Sequence, residues 1–225
     1  MITTKEQRDK FIAAGSEIEK ELKEIFGKGP ITFADIGACD GLSTIIYMNL
    51  FPGSTGVAFE PLPENVAGMM QNFHDYGINI DIRMVALSNK VGDAVFYKSS
   101  GEAPNVEGWD TGNKSSSLLR PKRHLTEHSW CKFTQTKVTT TKLDNYKYKF
   151  DFIHMDVQGA ELLVLKGGEQ TVKLAKAVWI EVSNIELYAN QALKKQVAHF
   201  MQHLGFKCIL DTCGSRKYGD MLWTA

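Results

Sequence analysis

Two acidic residues at the ends of apolar runs carry the first chemical information in this chain. Asp35 stands near the end of Ile31-Thr-Phe-Ala-Asp-Ile and is followed by Gly37-Ala-Cys-Asp-Gly41. Glu60 ends a second run, Thr55-Gly-Val-Ala-Phe-Glu. A glycine turn lets backbone approach a ligand with no side chain in the way, and the helix after it offers unpaired N–H groups and a positive dipole end. A carboxylate at the tip of the second strand is placed to accept both hydroxyls of an unphosphorylated ribose. A phosphate-binding P-loop is excluded, because no G-x-x-x-x-G-K-[ST] string occurs. The dinucleotide pattern G-x-G-x-x-G fails as well, since Cys39 stands where its second glycine belongs. S-adenosylmethionine carries such a ribose and no phosphate.

The elements that must position these groups follow from periodicity. Leu42, Ile45, Ile46 and Leu50 predict a helix directly after the glycine turn, and Pro63 to Tyr76 predicts a second one. Strands are expected over Ile78–Leu87, Ala94–Tyr97, Thr134–Thr141, Asp151–Asp156 and Ala177–Val182. Helices are expected at Gly159–Leu165 and Gln191–Leu204. Phe206–Leu210 and Met221–Thr224 would close the sheet as an antiparallel terminal pair. Such alternation predicts an α/β domain with a mostly parallel sheet and helices on both faces. Ligands then bind where strand carboxyl ends meet, which would set Asp35, Glu60, Asp156 and Glu181 on one rim. Residues 1–29 carry an amphipathic pattern over 4–27 (Phe11, Ile18, Leu22, Ile25, Phe26), read as one helix packed on a single domain of residues 30–225, with a lid or dimer element as the alternative. Residues 99–131, irregular and bearing Trp109 and Trp130, are expected to cover the substrate.

Five blocks in order carry a resemblance. Asp-Ile-Gly-Ala-Cys-Asp-Gly (35–41), Phe-Glu-Pro-Leu-Pro-Glu-Asn (59–65), Ala-Leu-Ser (86–88), Leu-Asp-Asn-Tyr (143–146) and His-Met-Asp-Val-Gln-Gly-Ala-Glu-Leu-Leu-Val-Leu-Lys-Gly-Gly (154–168) are similar to the FkbM-type methyltransferases. The resemblance spans roughly residues 31–182 and implies a Rossmann-like class I methyltransferase fold with a seven-stranded sheet. It implies S-adenosylmethionine as cofactor, with Gly37, Ala38 and Gly41 close to it and Asp35 facing its methionine amino group. Glu60 and Pro61 would meet the ribose, Ala86 and Leu87 the adenine, and Asp40 and Thr44 the helix entrance, where both can also act as caps.

Methyl transfer from a sulfonium is an in-line displacement, so the protein mainly positions the acceptor and excludes water. A hydroxyl acceptor also needs a base within hydrogen-bond reach. Asp156 ends a buried strand beside the expected methyl position, and His154 lies two residues earlier on the same face. His154 is either a proton acceptor or a hydrogen-bonded core residue. Asp156 with Glu181 is either a catalytic pair or an oxygen-ligand site for a divalent cation that lowers the hydroxyl's pKa. The family often has glutamate where this chain has Gln158, which cannot act as a base. A substrate contact is the reading for Gln158, as for Ser116 and Trp109 in the covering loop.

Charge is balanced, 26 Lys and Arg against 26 Asp and Glu, which points to neither nucleic acid nor an anionic membrane as partner. Gly41–Phe59 holds no charged residue, but Asn49, Pro52 and Gly53 divide it into helix and strand. Four scattered cysteines and an N-terminus without an apolar signal core lead to an expectation of a cytoplasmic protein. His124, His128 and Cys131, or His199 and His203, lack the paired C-x-x-C elements of structural zinc. The expected activity is transfer of a methyl group to a hydroxyl of a small molecule or glycan. The alternatives are N-methylation of an amine or protein side chain, and a non-catalytic binding module for which Gln158 is the hint.

Overall fold

Apolar alternation builds the sheet. In the computed structural model, which describes residues 4–102 and 112–225, strand β1 (Thr32–Ile36) sends Phe33 and Asp35 to one face and Ala34 and Ile36 to the other, all buried. Its neighbours are β2 (Thr55–Phe59) and then β3 (Asp81–Arg83), both parallel. The short β4 (Ala86–Leu87) pairs with β6 (Lys132–Thr141), which also forms a hairpin with β5 (Gly92–Ser100). On the other side of β1 lie β7 (Phe152–Met155) and β8 (Ala177–Ser183), again parallel. Strand β10 (Tyr218–Thr224) runs antiparallel between β8 and β9 (Lys207–Asp211). Among the described residues, seven strands thus form one sheet in the order β3-β2-β1-β7-β8-β10-β9, with β4-β6-β5 as a separate three-stranded sheet.

Helices cover both faces. On one, α1 (Lys5–Ala14), α2 (Glu19–Phe26), α3 (Leu42–Leu50) and α4 (Pro63–Asp75) contribute Phe11, Leu22, Tyr47 and Phe73 to clusters around Phe33, Phe152 and Ala58. On the other, after the single turn α5 (His124–Glu127), α6 (Glu161–Gly167), α7 (Glu169–Val172) and α8 (Lys194–His203) pack Val164, Val172, Val197 and Met201 against Ile36, Ile153 and Ile180.

The structure corrects three expectations. The single helix over 4–27 is two helices, because Gly15 takes φ 71° and Ser16 turns the chain, its Oγ accepting from Ile18 N–H. The break lets α1 pack on α3 and α4 while Ile18 and Leu22 of the next segment are fully buried in a different cluster. Each such burial is worth about 1.5–3 kcal/mol, which explains why one straight helix is not kept. The strand over Ile78–Leu87 is two strands in different sheets, since Val85 N–H turns back to Arg83 O and Ala86–Leu87 leaves to pair with β6. The stretch 99–131 is not wholly irregular. Residues 113–115 form a 3-10 turn, Tyr97 bridges Ser117, and α5 follows.

Candidate cofactor and acceptor site

The glycine turn is fixed by its neighbours. Gly37 and Ala38 N–H both donate to Phe59 O at the end of β2. Gly37 has φ 86°, and a Cβ there would lie 1.8 Å from Asp156 O. Gly41 has φ 75°, and a Cβ there would meet Phe73 at 2.6 Å and Met69 at 2.7 Å. Both positions therefore need glycine for left-handed backbone and for close packing of protein on protein. Cys39 also has positive φ, 50°, and its N–H donates to Glu60 Oε2 at 3.1 Å. Glu60 Oε1 accepts from Leu62 N–H and from Asn65 Nδ2. Burial outweighs these donors and pushes the Glu60 carboxyl up to about 7.

Beside this turn lies a cavity of about 230 Å³. Asp35, Gly37, Ala38, Asp40, Glu60 and Pro61 line one side of it, with Ala86 and Leu87. His154, Asp156, Gln158 and Ser116 also face it. Gly41, Thr44 and Glu181 do not line it, and Trp109 falls outside the described residues. Phe11, Asn65, Phe96, Asn113, Lys114 and Leu118 also line it, none of them among the residues expected at the site. Asn65 was visible as the last residue of the 59–65 block. The others come from elements whose placement needs the fold: Phe11 from α1, Phe96 from the small sheet, and the rest from the covering segment.

One end of the cavity is acid-rich. Asp35 is fully buried and uses both oxygens within the protein. Oδ1 lies 2.8 Å from His154 Nδ1, and Oδ2 accepts from Thr44 Oγ1 at 2.5 Å. Burial alone would lower the His154 pKa, but the charge and hydrogen bond of Asp35, with Asp156 and Asp220 beyond, raise it above the ordinary value. Gln158, held at φ 53°, donates its amide Nε2 to Asp156 Oδ1 at 2.7 Å and to Glu181 Oε2 at 3.0 Å. Glu181 pairs across the sheet with Asp220. Burial, then Asp156, Glu161 and Asp220, push the Glu181 carboxyl well above the usual carboxylate range. Burial, then Asp156, likewise takes Asp220 up to about 7.

Residues 112–121 form a strap over the cavity. Asn113 Nδ2 donates to Cys39 Sγ at 3.2 Å and to Asn65 Oδ1 at 3.3 Å, and Lys114 Nζ lies 3.8 Å from Asp40. At the other end Ser117 Oγ donates to Gln158 O, and Tyr188 Oη donates to Ser115 O at 2.8 Å while lying 3.2 Å from Gln158 Oε1. The Ser116 hydroxyl ties the strap to β5, lying 3.0 Å from Ser99 N and from Ser99 Oγ.

For a divalent cation, Asp156 and Glu181 are bridged by the Gln158 amide. Among the described residues no group of three or more His, Cys, Asp or Glu side chains is arranged to hold a metal ion. Nor, among them, is any helix long and apolar enough to cross a membrane.

The chain is 31% identical over 181 residues to the 2-O-methyltransferase NoeI of Sinorhizobium fredii (strain NBRC 101917 / NGR234), covering 78% of this chain and 72% of that protein. The fold is similar to magnesium protoporphyrin IX methyltransferase (ChlM) from Synechocystis PCC 6803, solved with bound SAM, at TM-score 0.54 and 10% identity over 97% of this chain and 79% of that one. It is also similar to an rRNA methylase from Streptococcus thermophilus, at TM-score 0.51 and 12% identity over 92% of each chain. The sequence pattern of the methyltransferase FkbM domain matches residues 35–208, and the chain belongs to that methyltransferase family.

Proposed function

We propose that this protein transfers the methyl group of S-adenosylmethionine to a hydroxyl oxygen of a small molecule or glycan. The observation that carries the reading is that one cavity is lined by the Glu60 carboxylate, the apolar pair Ala86 and Leu87, and two proton acceptors, His154 and Asp156. The name of the relative NoeI, a 2-O-methyltransferase, supports oxygen as the acceptor atom.

The residues fit the cofactor. Glu60 Oε2 accepts only the Cys39 N–H among the described residues and keeps lone pairs for ribose hydroxyls. Ala86 and Leu87 present an apolar surface suited to a base ring, and Asp40, Asn113 and Lys114 form a polar border. When bound, the sulfonium supplies an activated methyl carbon and its own leaving group. The protein's part is to hold the acceptor oxygen in line, to take its proton at the His154–Asp156 end, and to exclude water with the 112–121 strap. The four cysteines are free thiols, which suits a reducing compartment such as the cytoplasm.

Calorimetry with S-adenosylhomocysteine tests the cofactor half of this reading. Binding by the wild type and a loss of about tenfold or more in Glu60→Ala is the expected result. No binding, or equal binding by the variant, removes its basis. Mass spectrometry of products formed from methyl-labelled S-adenosylmethionine and a metabolite extract tests the acceptor. Label on oxygen is expected, and label confined to nitrogen would replace this reading with N-methylation.

A further inference from the structure

Asp35 stands where a contact to the cofactor's amino group was expected, yet its side chain is fully buried and both oxygens are engaged by protein. Strands β1 and β7 are in parallel register with Asp35 opposite His154, so the two side chains rise on the same face of the sheet. The result is a chain of contacts from Thr44 Oγ1 to Asp35 Oδ2, and from Asp35 Oδ1 to His154 Nδ1 at 2.8 Å. The His154 side chain is 13% exposed and faces the cavity. Among the described residues no hydrogen bond engages Nε2. The ring packs edge-on against Tyr47 at 5.5 Å, which together with Asp35 limits its rotation.

We propose that Asp35 is a positioning residue for proton transfer: it holds the His154 proton on Nδ1, so that Nε2 is the atom that takes the proton of the acceptor hydroxyl. The proposal rests on the methyl-transfer reading above and names the base within it. During transfer the carbon–sulfur bond breaks with its electron pair left on sulfur, and the acceptor oxygen bonds to the methyl carbon. The oxygen's proton passes to Nε2. The imidazolium so formed lies against the Asp35 carboxylate, which is oriented in turn by Thr44. A carboxylate fixing Nδ1–H selects the tautomer in which Nε2 is free to accept.

The groups facing His154 decide what a titration can report. They are Asp35 from β1, Tyr47 from α3, Asp156 at the end of its own strand, and Asp220 from β10. Of these Asp35 is the one in direct hydrogen-bond contact. Its removal should move the ring's protonation more than removal of either other acid.

The test uses the full chain with S-adenosylhomocysteine and no acceptor. Nitrogen-15 NMR of the histidine rings should show neutral His154 protonated on Nδ1. In Asp35→Asn the His154 midpoint should fall by about one pH unit or more, with S-adenosylhomocysteine affinity within about threefold of wild type. Methyl label delivered to an extract should fall by about a hundredfold or more in Asp35→Asn and in His154→Gln. A wild-type ring protonated on Nε2 would overturn the proposal, and this reading needs no variant to fold. So would an Asp35→Asn protein that loses S-adenosylhomocysteine while its His154 midpoint stays put, since Asp35 would then be a cofactor ligand. Failure of the wild type to bind S-adenosylhomocysteine sinks the methyl-transfer reading instead, which separates the two.

Discussion

Gly37 lies so close to Asp156 that a Cβ on the glycine would come within 1.8 Å of the Asp156 carbonyl oxygen. The contact ties the glycine turn at the end of β1 to the chain leaving β7. Gly37→Ala must therefore push the two strand ends apart and also hold alanine at φ 86°. The positive φ alone costs about 1–2 kcal/mol, and the backbone contact adds to it. Chemical denaturation should show a loss of stability of at least that size, and calorimetry a matching loss of S-adenosylhomocysteine binding. A variant as stable as wild type would show that the β1–β7 ends yield freely.

Glu60 titrates near neutrality, its carboxyl raised to about 7 by burial. The ionised form accepts hydrogen bonds at both oxygens, whereas a protonated one spends a proton where an acceptor is needed. S-adenosylhomocysteine affinity should therefore rise as pH climbs through that value and level off above it. Glu60→Gln should bind more weakly, with the rise abolished. Calorimetry across that range decides it, and a pH-independent wild type would count against a ribose contact at Glu60.

Gln158 is the neutral member of a group of acids. Replacing it by glutamate would remove the donor that bridges Asp156 and Glu181 and add a third carboxyl beside them. Gln158→Glu should melt at a lower temperature, with a deficit that grows as pH rises and repulsion increases. Equal melting temperatures in mildly acidic and mildly alkaline buffer would mean that the amide's donation carries no weight.

The wild type should also lose stability as pH rises over the same interval. The folded-state carboxyls of Glu60, Glu161 and Asp220 lie at about 7, against an unfolded value of about 4–4.5. Between those limits the folded state binds more protons than the unfolded one, so stability falls as pH increases. His154, raised in the folded state, acts in the same direction: its contribution is full below its unfolded value and is lost as pH passes its folded one. Thermal melts should therefore give a higher midpoint at about pH 5.5, inside this window, than at about pH 8, above it.

Tyr188→Phe deletes the hydroxyl that donates to Ser115 O while leaving the buried ring in place. The expected cost is about 0.5–1.5 kcal/mol. Hydrogen exchange at 113–118 should quicken, with β1 and β7 unaffected. Unchanged exchange would show that Cys39 and Gln158 hold the strap without Tyr188.

What could be read from residue order was local. The strand–turn–helix from Ile31 to Leu50 is visible because apolar alternation gives way to glycine and then to helical spacing. The strand tips at Glu60 and Asp156 are visible for the same reason, whereas Glu181, expected at a tip, lies within β8 and does not line the cavity. The break at Gly15 has no signature in the pattern, since the apolar spacing from Phe11 to Ile18 continues across it, and only the two separate clusters show the turn. Asp35 and His154 stand 119 residues apart in sequence. Their contact follows from which strands become neighbours and in what register, information no local pattern holds. The strap was legible as an irregular segment. Its attachments to Cys39 and Gln158 were not, because each is a single polar contact with no periodic signature.

The sheet order has a consequence for how the molecule assembles. β10 lies between β8 and β9, although β9 precedes it in the chain. β8 is therefore synthesised well before the strand that pairs with it, and this apolar strand keeps a bare hydrogen-bonding border until Tyr218–Thr224 arrives. That interval is when a nascent chain is most open to pairing with a neighbour's strand.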